Sequence, residues 1–314
     1  MKWLQSILPH DFRDLSDISK KISTSVIAYA AGDAFGVPYE FSPRRSRNSM
    51  STVESRDGWP FGGVSDDTFL TIMTLNTLNF RKPSEAASQF LKALLERAPK
   101  LRGLGPTTRS ALGLPISENE RKLVGNTNGG MMRTALTGMA FLPMERDERR
   151  AWVKESVMVT HKSKNAVDAA ILLSAFFSDA VQEGCRTPKL EDFERILSEE
   201  FEEIAKNSTA YRQIIGLSEW LSPAQGISLD PFETMFAVLW TVLNAENISD
   251  VFALASSLGG DTDTVCALSA SLYVAWSGDV ETFYAMDWLR KVSWDEISDI
   301  GSAIESILKR RSQS

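Results

Sequence analysis

Apolar residues along this chain recur mainly at helical spacing. Near the start, Trp3, Leu4, Ile7, Leu8, Phe12, Leu15 and Ile18 fall along one face of an amphipathic helix. Residues 22–34 are small and apolar around Val26, Ile27 and Tyr29, with Gly36 and Pro38 ending the run. Residues 68–80 place Phe69, Ile72, Met73, Leu75 and Leu78 close to a helical period, and residues 165–181 are strongly apolar up to a stop at Gly184. Residues 232–243 and 251–258 follow, the second with Ser249 or Asp250 as its cap and Gly259 as its stop. Residues 264–276 are built from Ala, Ser, Cys, Val and Leu, as in a helix packed on several sides. Period-two alternation is scarce, so the pattern predicts an all-α fold. Residues 42–51 and 102–128 read as loops within it. Linker composition and internal repeats are both missing, which predicts one domain over residues 21–314. Residues 1–20 then form an extension that packs on the body or binds a partner.

Composition narrows the class. At 314 residues, 43% hydrophobic and 24% charged, the chain has ordinary globular make-up. Folding at this size buries roughly three quarters of the extended chain's surface, enough for a core without staples. The net charge of −7 argues against nucleic acid or an anionic membrane as the main partner. No run reaches the ~20 apolar residues a membrane helix needs, and Pro9, His10 and Asp11 interrupt the stretch where a signal peptide would lie. The two cysteines, Cys185 and Cys266, build neither a disulfide framework nor a cysteine zinc site, so a cytoplasmic location is expected.

The chemistry concentrates in two acidic turns, each leading into an apolar helix. The first reads Gly62-Gly63-Val64-Ser65-Asp66-Asp67-Thr68 and the second Gly259-Gly260-Asp261-Thr262-Asp263-Thr264. Neighbouring carboxylates repel, at a high cost away from bulk water. A helix N-terminus offsets about 1 kcal/mol at most at the surface, and a divalent cation far more. Oxygen donors without a thiol suit Mg²⁺ or Mn²⁺ better than Zn²⁺. A locally extended backbone would point Asp261 and Asp263 the same way. Helix capping explains either turn alone, because Asp, Ser and Thr are the preferred caps; spacing leaves both readings open. Glu40 follows a helix broken by Gly36 and Pro38, where a carboxylate serves as general base, metal ligand or plain loop residue. Gly125-Asn126-Thr127-Asn128-Gly129-Gly130-Met131-Met132-Arg133 is a glycine-rich loop able to offer N–H groups to phosphate, or an ordinary flexible turn. It is not a P-loop. Only His10 and His161 exist, which excludes any site needing several histidines, and His161 by itself reads as a capping or core residue, with a ligand contact open only where the other motifs converge on it.

Taken in order, these segments resemble the ADP-ribosylglycohydrolase family. Its pattern runs Gly-Asp-x-x-Gly-x-Pro-x-Glu, Thr/Ser-Asp-Asp-Thr, an Arg-Gly-Tyr-Gly-like loop, Asn-Gly-x-x-Met-Arg, Thr-His and Gly-Gly-Asp-Thr-Asp-Thr. Residues 32–40, 65–68, 102–105, 128–133, 160–161 and 259–264 match it in that order. The resemblance implies an all-α fold with two Mg²⁺ ions, or Mn²⁺, in a central cleft. The ligands it implies are Ser65, Asp66, Asp67, Asp261, Asp263 and Thr264, with Glu40 beside them. Glu40, Asp67 and Asp261 are then the catalytic carboxylates, Asn128, Gly129 and Gly130 cradle the diphosphate, and His161 contacts the ADP-ribose. Departures fall at Ser65, which keeps a hydroxyl, and at Leu104, Thr127 and Met131, in loops expected beside the nucleotide.

The resemblance implies hydrolysis of the bond from ribose C1″ to a protein side chain, most often arginine, releasing ADP-ribose. Carboxylates suit the oxocarbenium character such cleavage develops. O-linked serine and small esters are neighbouring substrates, and a phosphohydrolase acting on the diphosphate would release AMP instead. The alternative in a different class is an immunity protein that neutralises an ADP-ribosyltransferase toxin by binding it or by reversing its modification.

Overall fold

The computed structural model describes residues 12–47, 52–182, 185–200 and 216–313, and the regular structure among them is helical. The longer helices are α1 (Asp17–Gly36), α2 (Asp66–Asn76) and α3 (Pro83–Arg97), followed by the short α4 (Pro106–Ala111), α5 (Glu118–Arg121) and α6 (Gly129–Thr134). Then come α7 (Arg146–Met158), α8 (Lys164–Gln182), α9 (Leu190–Glu200), α10 (Pro231–Asn244) and α11 (Ile248–Ser257). α12 (Thr262–Ser277), α13 (Val280–Ala285) and α14 (Ile300–Arg311) are the last of the α-helices among the described residues. Among the described residues, extended pairing is confined to isolated bridges of Gly260 with Ser42 and Ile227. The all-α expectation holds.

Small residues decide the centre. α1 is buried from Lys21 to Gly36 and α12 from Thr262 to Trp276, so neither has a solvent face. They make the most extensive helix pair among the described residues. A Cβ on Gly32 would lie 2.4 Å from the Cys266 carbonyl oxygen, and one on Gly36 equally 2.4 Å from that of Thr262. Backbone therefore meets backbone, and any larger side chain would push the helices apart. This contact sets Asp33 on α1 beside the acidic start of α12.

Outer helices bury one stripe each. α3 buries Ala86, Phe90 and Leu94 at four-residue spacing and leaves the rest wet. α9 buries Phe193, Ile196 and Leu197, and Phe193 meets Phe176 of α8 and Trp276 of α12 edge-on at 5.1 and 5.6 Å. These polar-rich helices, with α7 and α14, add to the apolar ones the pattern predicts.

Boundaries moved where capping chemistry decided. α1 begins at Asp17, because the Ser16 hydroxyl accepts the Ser19 N–H at 3.3 Å. The amphipathic face expected through Ile18 is thus not one helix: Phe12–Asp14 is a separate turn, and Phe12 packs edge-on against Tyr284 at 5.3 Å. Trp3, Leu4, Ile7 and Leu8 lie outside the described residues, as does most of the 1–20 extension. The cap of α11 is Asn247, whose side chain accepts the Asp250 N–H at 3.0 Å, rather than Ser249 or Asp250. Loop 102–128 carries the single turns α4 and α5.

Candidate active site

The first acidic turn is pinned from below. Asp33 is fully buried and accepts the Ser65 N–H at 3.0 Å, the Thr68 N–H at 3.1 Å and the Thr68 hydroxyl at 2.6 Å. It thereby caps α2 from another helix, beside the local cap in which Ser65 Oγ accepts the Asp67 N–H at 3.1 Å. Asp66 and Asp67 fill the first turn above and line the cavity. Asp66 N–H donates to the Arg102 carbonyl at 2.8 Å, and a Cβ on Gly103 would come within 2.8 Å of Asp66 Oδ1. The Arg102-Gly103 loop closes over this carboxylate only because residue 103 is glycine.

The second turn is held by backbone. Gly259 and Gly260 have φ of 71° and 73°, where an L side chain is strained. Gly260 N–H donates to the Ser42 carbonyl at 2.7 Å, Phe41 N–H to the Gly260 carbonyl at 2.7 Å, and Asp261 N–H to the Ile227 carbonyl at 2.9 Å. Asp261 is the N-cap residue of α12, and Asp263 lies in its first turn. Their carboxylates converge through a helix start, not through the extended backbone that the spacing suggested. Ligand oxygens of Glu40, Asp261 and Asp263 all lie within 4.8 Å of one another.

The two turns meet. Thr264 Oγ1 donates to Asp67 Oδ2 at 2.7 Å across a separation of 197 residues. Asn128 donates its side-chain amide to Asp261 and, at 2.8 Å, to Thr234. Glu40 pairs with Arg56, which also donates to the Val37 carbonyl at 3.1 Å. Around them lies a cavity of about 350 Å³, walled by the Gly103–Pro106 loop, Asn128 and Gly129. Of the residues singled out in the sequence, Glu40, Asp66, Asp67, Asn128, Gly129, Asp261, Asp263 and Thr264 line it. Ser65 sits beneath as a cap, while Gly130 and His161 lie behind the wall.

That wall is built differently. A Cβ on Gly130 would lie 3.2 Å from His161 Cβ, so the glycine loop rests directly on the histidine. The buried Arg133 guanidinium donates to the carbonyls of Gly129 and Gly130, each at 3.2 Å, to that of Ser156 at 2.7 Å, and to Thr160 Oγ1 at 3.1 Å. Thr127 Oγ1 gives its proton to Thr107 at 2.8 Å and so accepts the His161 Nε2 hydrogen at 2.9 Å. With that single ring hydrogen placed, His161 Nδ1 accepts from Thr160 Oγ1 at 2.7 Å. Burial, and then the charge of Arg133, hold the His161 pKa well below its usual value, so the ring is neutral. Burial also lowers Arg133 to about 9, still a cation at neutral pH.

Electrostatics identify what the acidic side lacks. Burial raises Asp66, Asp67 and Asp263 well above the usual carboxylate range, and charges on neighbouring carboxylates add to it. Asp261 is pushed up to about 7 by burial and then by Glu40, and Asp33 to about 6 by burial against the hydrogen bonds from Thr68 and Ser65. Arg56 supplies one positive charge at the edge of this group. A divalent cation fits the donor set: carboxylate and hydroxyl oxygens, convergent, buried and repelling one another. The nearby Cys266 thiol is buried and pushed well up in pKa, which leaves it a protonated core side chain rather than a thiolate ligand.

An all-helical scaffold holding two acidic helix starts against a glycine loop defines the class, and the comparisons agree. Residues 14–313 match the ADP-ribosylglycohydrolase family, and the chain belongs to that family. It is a hydrolase acting on ADP-ribosylated substrates. It is similar to the ADP-ribosylarginine hydrolase Tri1 of Pseudomonas putida (strain GB-1), 27% identical over 320 residues, covering 94% of this chain and 80% of that protein. It is also 26% identical over 312 residues to the uncharacterized protein YegU of Escherichia coli (strain K12), covering 83% and 88%. A solved structure described as an ADP-ribosylglycohydrolase-related protein complex shares the fold at a TM-score of 0.69 and 22% identity, over 95% of this chain and all of that one.

Sequence reasoning missed two supports. Asp33 stands inside the matched Gly-Asp motif, yet its function as a cap for α2 depends on a partner 32 residues away. Arg133 also lies inside a matched motif, and that it has no carboxylate partner among the described residues emerges only from its four carbonyl and hydroxyl contacts.

Proposed function

We propose that the protein hydrolyses the C1″–nitrogen bond of ADP-ribosylated arginine, releasing ADP-ribose, with two Mg²⁺ ions held by Ser65, Asp66, Asp67, Asp261, Asp263 and Thr264. One observation carries the reading: the Thr264–Asp67 hydrogen bond that closes two distant acidic turns around one cavity. The arginine linkage rests on the similarity to the ADP-ribosylarginine hydrolase. Bound there, the cations would polarise the ribose hydroxyls and an attacking water.

The chain's own groups supply the rest. Asn128 fixes the Asp261 carboxylate by its amide, and Arg56 fixes Glu40. On this reading Glu40, 10% exposed at its side chain, takes the proton as water oxygen bonds to C1″. The C1″–N bond breaks, its electron pair goes to the guanidine nitrogen, and the proton taken by Glu40 passes to that nitrogen to complete the free arginine. The surrounding carboxylates stabilise positive charge developing on the ribose. Gly129, backed by Arg133 and His161, presents the wall that receives the diphosphate. Such a reversal would undo the action of an arginine-modifying toxin, so immunity needs no second site.

Incubation of arginine- and serine-ADP-ribosylated proteins, with and without Mg²⁺, tests the reading by mass identification of the released nucleotide. ADP-ribose from the arginine substrate, dependent on the cation, is the expected result. Release of AMP, or of nothing, would sink it.

A further inference from the structure

Phe41 is a residue whose type the fold does not require. Its φ of 57° is left-handed, and no other non-glycine among the described residues has a positive φ. A bulky side chain is strained there, whereas glycine would adopt the conformation freely. The backbone imposes it. Phe41 N–H donates to the Gly260 carbonyl at 2.7 Å, Ser42 N–H to the Tyr39 carbonyl at 3.1 Å, and Gly260 N–H to the Ser42 carbonyl at 2.7 Å. None of these bonds uses the ring. At 67% exposure the residue gains little burial to offset its strain. It is also the aromatic residue among the described side chains lining the cavity, one position after Glu40. Strain kept at a functional site, without repayment in packing, points to a contact outside the chain.

We propose that the Phe41 ring is the surface on which the guanidinium of an ADP-ribosylated arginine stacks, which makes Phe41 a specificity-determining residue; this rests on the arginine-linked reading above. The acidic side takes the ribose end, so the group attached to C1″ departs past Glu40 and over Phe41. A guanidinium is planar, delocalised and weakly hydrated, and it stacks on aromatic faces. A serine or ester oxygen offers no such plane. The same chemistry recurs next door within the chain: Arg56, paired with Glu40, lies 4.6 Å from the Trp59 ring centroid. A guanidinium between this carboxylate and an aromatic face is thus a geometry the site already contains.

The test compares wild type, Phe41→Ala, Phe41→Gly and Phe41→Trp on an arginine-ADP-ribosylated peptide with Mg²⁺. The dissociation constant of free ADP-ribose and the melting temperature are measured alongside. Removing the ring should lower kcat/KM about tenfold, the size of one partly desolvated stacking contact. ADP-ribose affinity should hold within about twofold, because free ADP-ribose has no guanidinium to lose. Phe41→Gly should melt no lower than wild type, since the strain is gone, and Phe41→Trp should keep its turnover. Unchanged kcat/KM in Phe41→Ala, or a matching loss of ADP-ribose affinity, would overturn the stacking while leaving the arginine reading intact. A wild-type protein inert on the arginine peptide would overturn both.

Discussion

The two walls of the cavity are stabilised in opposite ways. On the acidic side, Asp66, Asp67, Asp261 and Asp263 are buried together, and burial with repulsion from nearby carboxylates, Glu40 in the case of Asp261, raises every one of them. On the glycine-loop side, the buried charge is a single arginine whose contacts are carbonyls and a hydroxyl, beside a neutral histidine whose two nitrogens are both hydrogen-bonded. The first wall is left in electrostatic debt that a cation can cancel. The second is already satisfied from within. On the proposed reading, one side is completed by a cation and the other keeps a shape for the substrate.

Substitution should separate the walls. Asp261→Ala is expected to give the largest effect, a loss of about 10²–10³-fold in turnover, from one removed electrostatic contact at the reacting centre. Metal affinity should fall with it, while the metal-free melting temperature should not drop, because one repelling carboxylate has gone. Undiminished turnover in this variant would reject the site. Arg133→Met should do the reverse, leaving the Gly129, Gly130 and Ser156 carbonyls without their donor. Denaturant titration should show a destabilisation of about 2–4 kcal/mol whether or not Mg²⁺ is present.

Cation addition and pH sharpen the same contrast. Free Mg²⁺ at 100 times its dissociation constant should stabilise the protein by about 2.7 kcal/mol, measured as a rise in melting temperature that chelation reverses. Asp33 and Asp261 keep their protons up to about 6 and about 7 in the fold, against 3.8 for the ordinary group. Between those values the folded state binds more protons than the unfolded one, so stability falls as pH rises. Metal-free protein should accordingly melt lower at pH 8 than at pH 5, and Mg²⁺ should narrow the gap. A melting temperature that climbs with pH in the absence of metal would contradict the charge assignment. Thr127→Val should have the smallest effect, about 1 kcal/mol of stability from the lost link to His161. It should weaken ADP-ribose binding a few-fold and leave Mg²⁺ affinity alone, as calorimetry would show.

The helices were legible wherever one face or the whole surface is apolar. Residues 165–181 foretell α8 almost to its ends, and residues 264–276 lie within α12. α14 carries the same signal at Ile300, Ala303, Ile304, Ile307 and Leu308, which sequence reasoning passed over, while α7 buries a narrower apolar stripe of Trp152, Val153 and Val157 among charged residues. At the site, the carboxylates announced themselves as clusters of like charge, which local structure alone makes expensive. Asp33 did not, because one carboxylate in an apolar helix looks the same whether it caps another helix or faces a void. Phe41 did not, because its strain comes from bonds to Gly260, 219 positions away in the chain (260 − 41).

Sequence by itself determined what each segment would become: helical period, caps, glycine turns and acidic starts act over one or two turns of chain, where neighbouring residues settle the energy. Only the tertiary structure decided which segments face each other. The backbone contact of α1 with α12 through Gly32 and Gly36, and the meeting of Thr264 with Asp67, follow from packing between residues far apart in the chain. The free energy of such a contact is set by both partners at once.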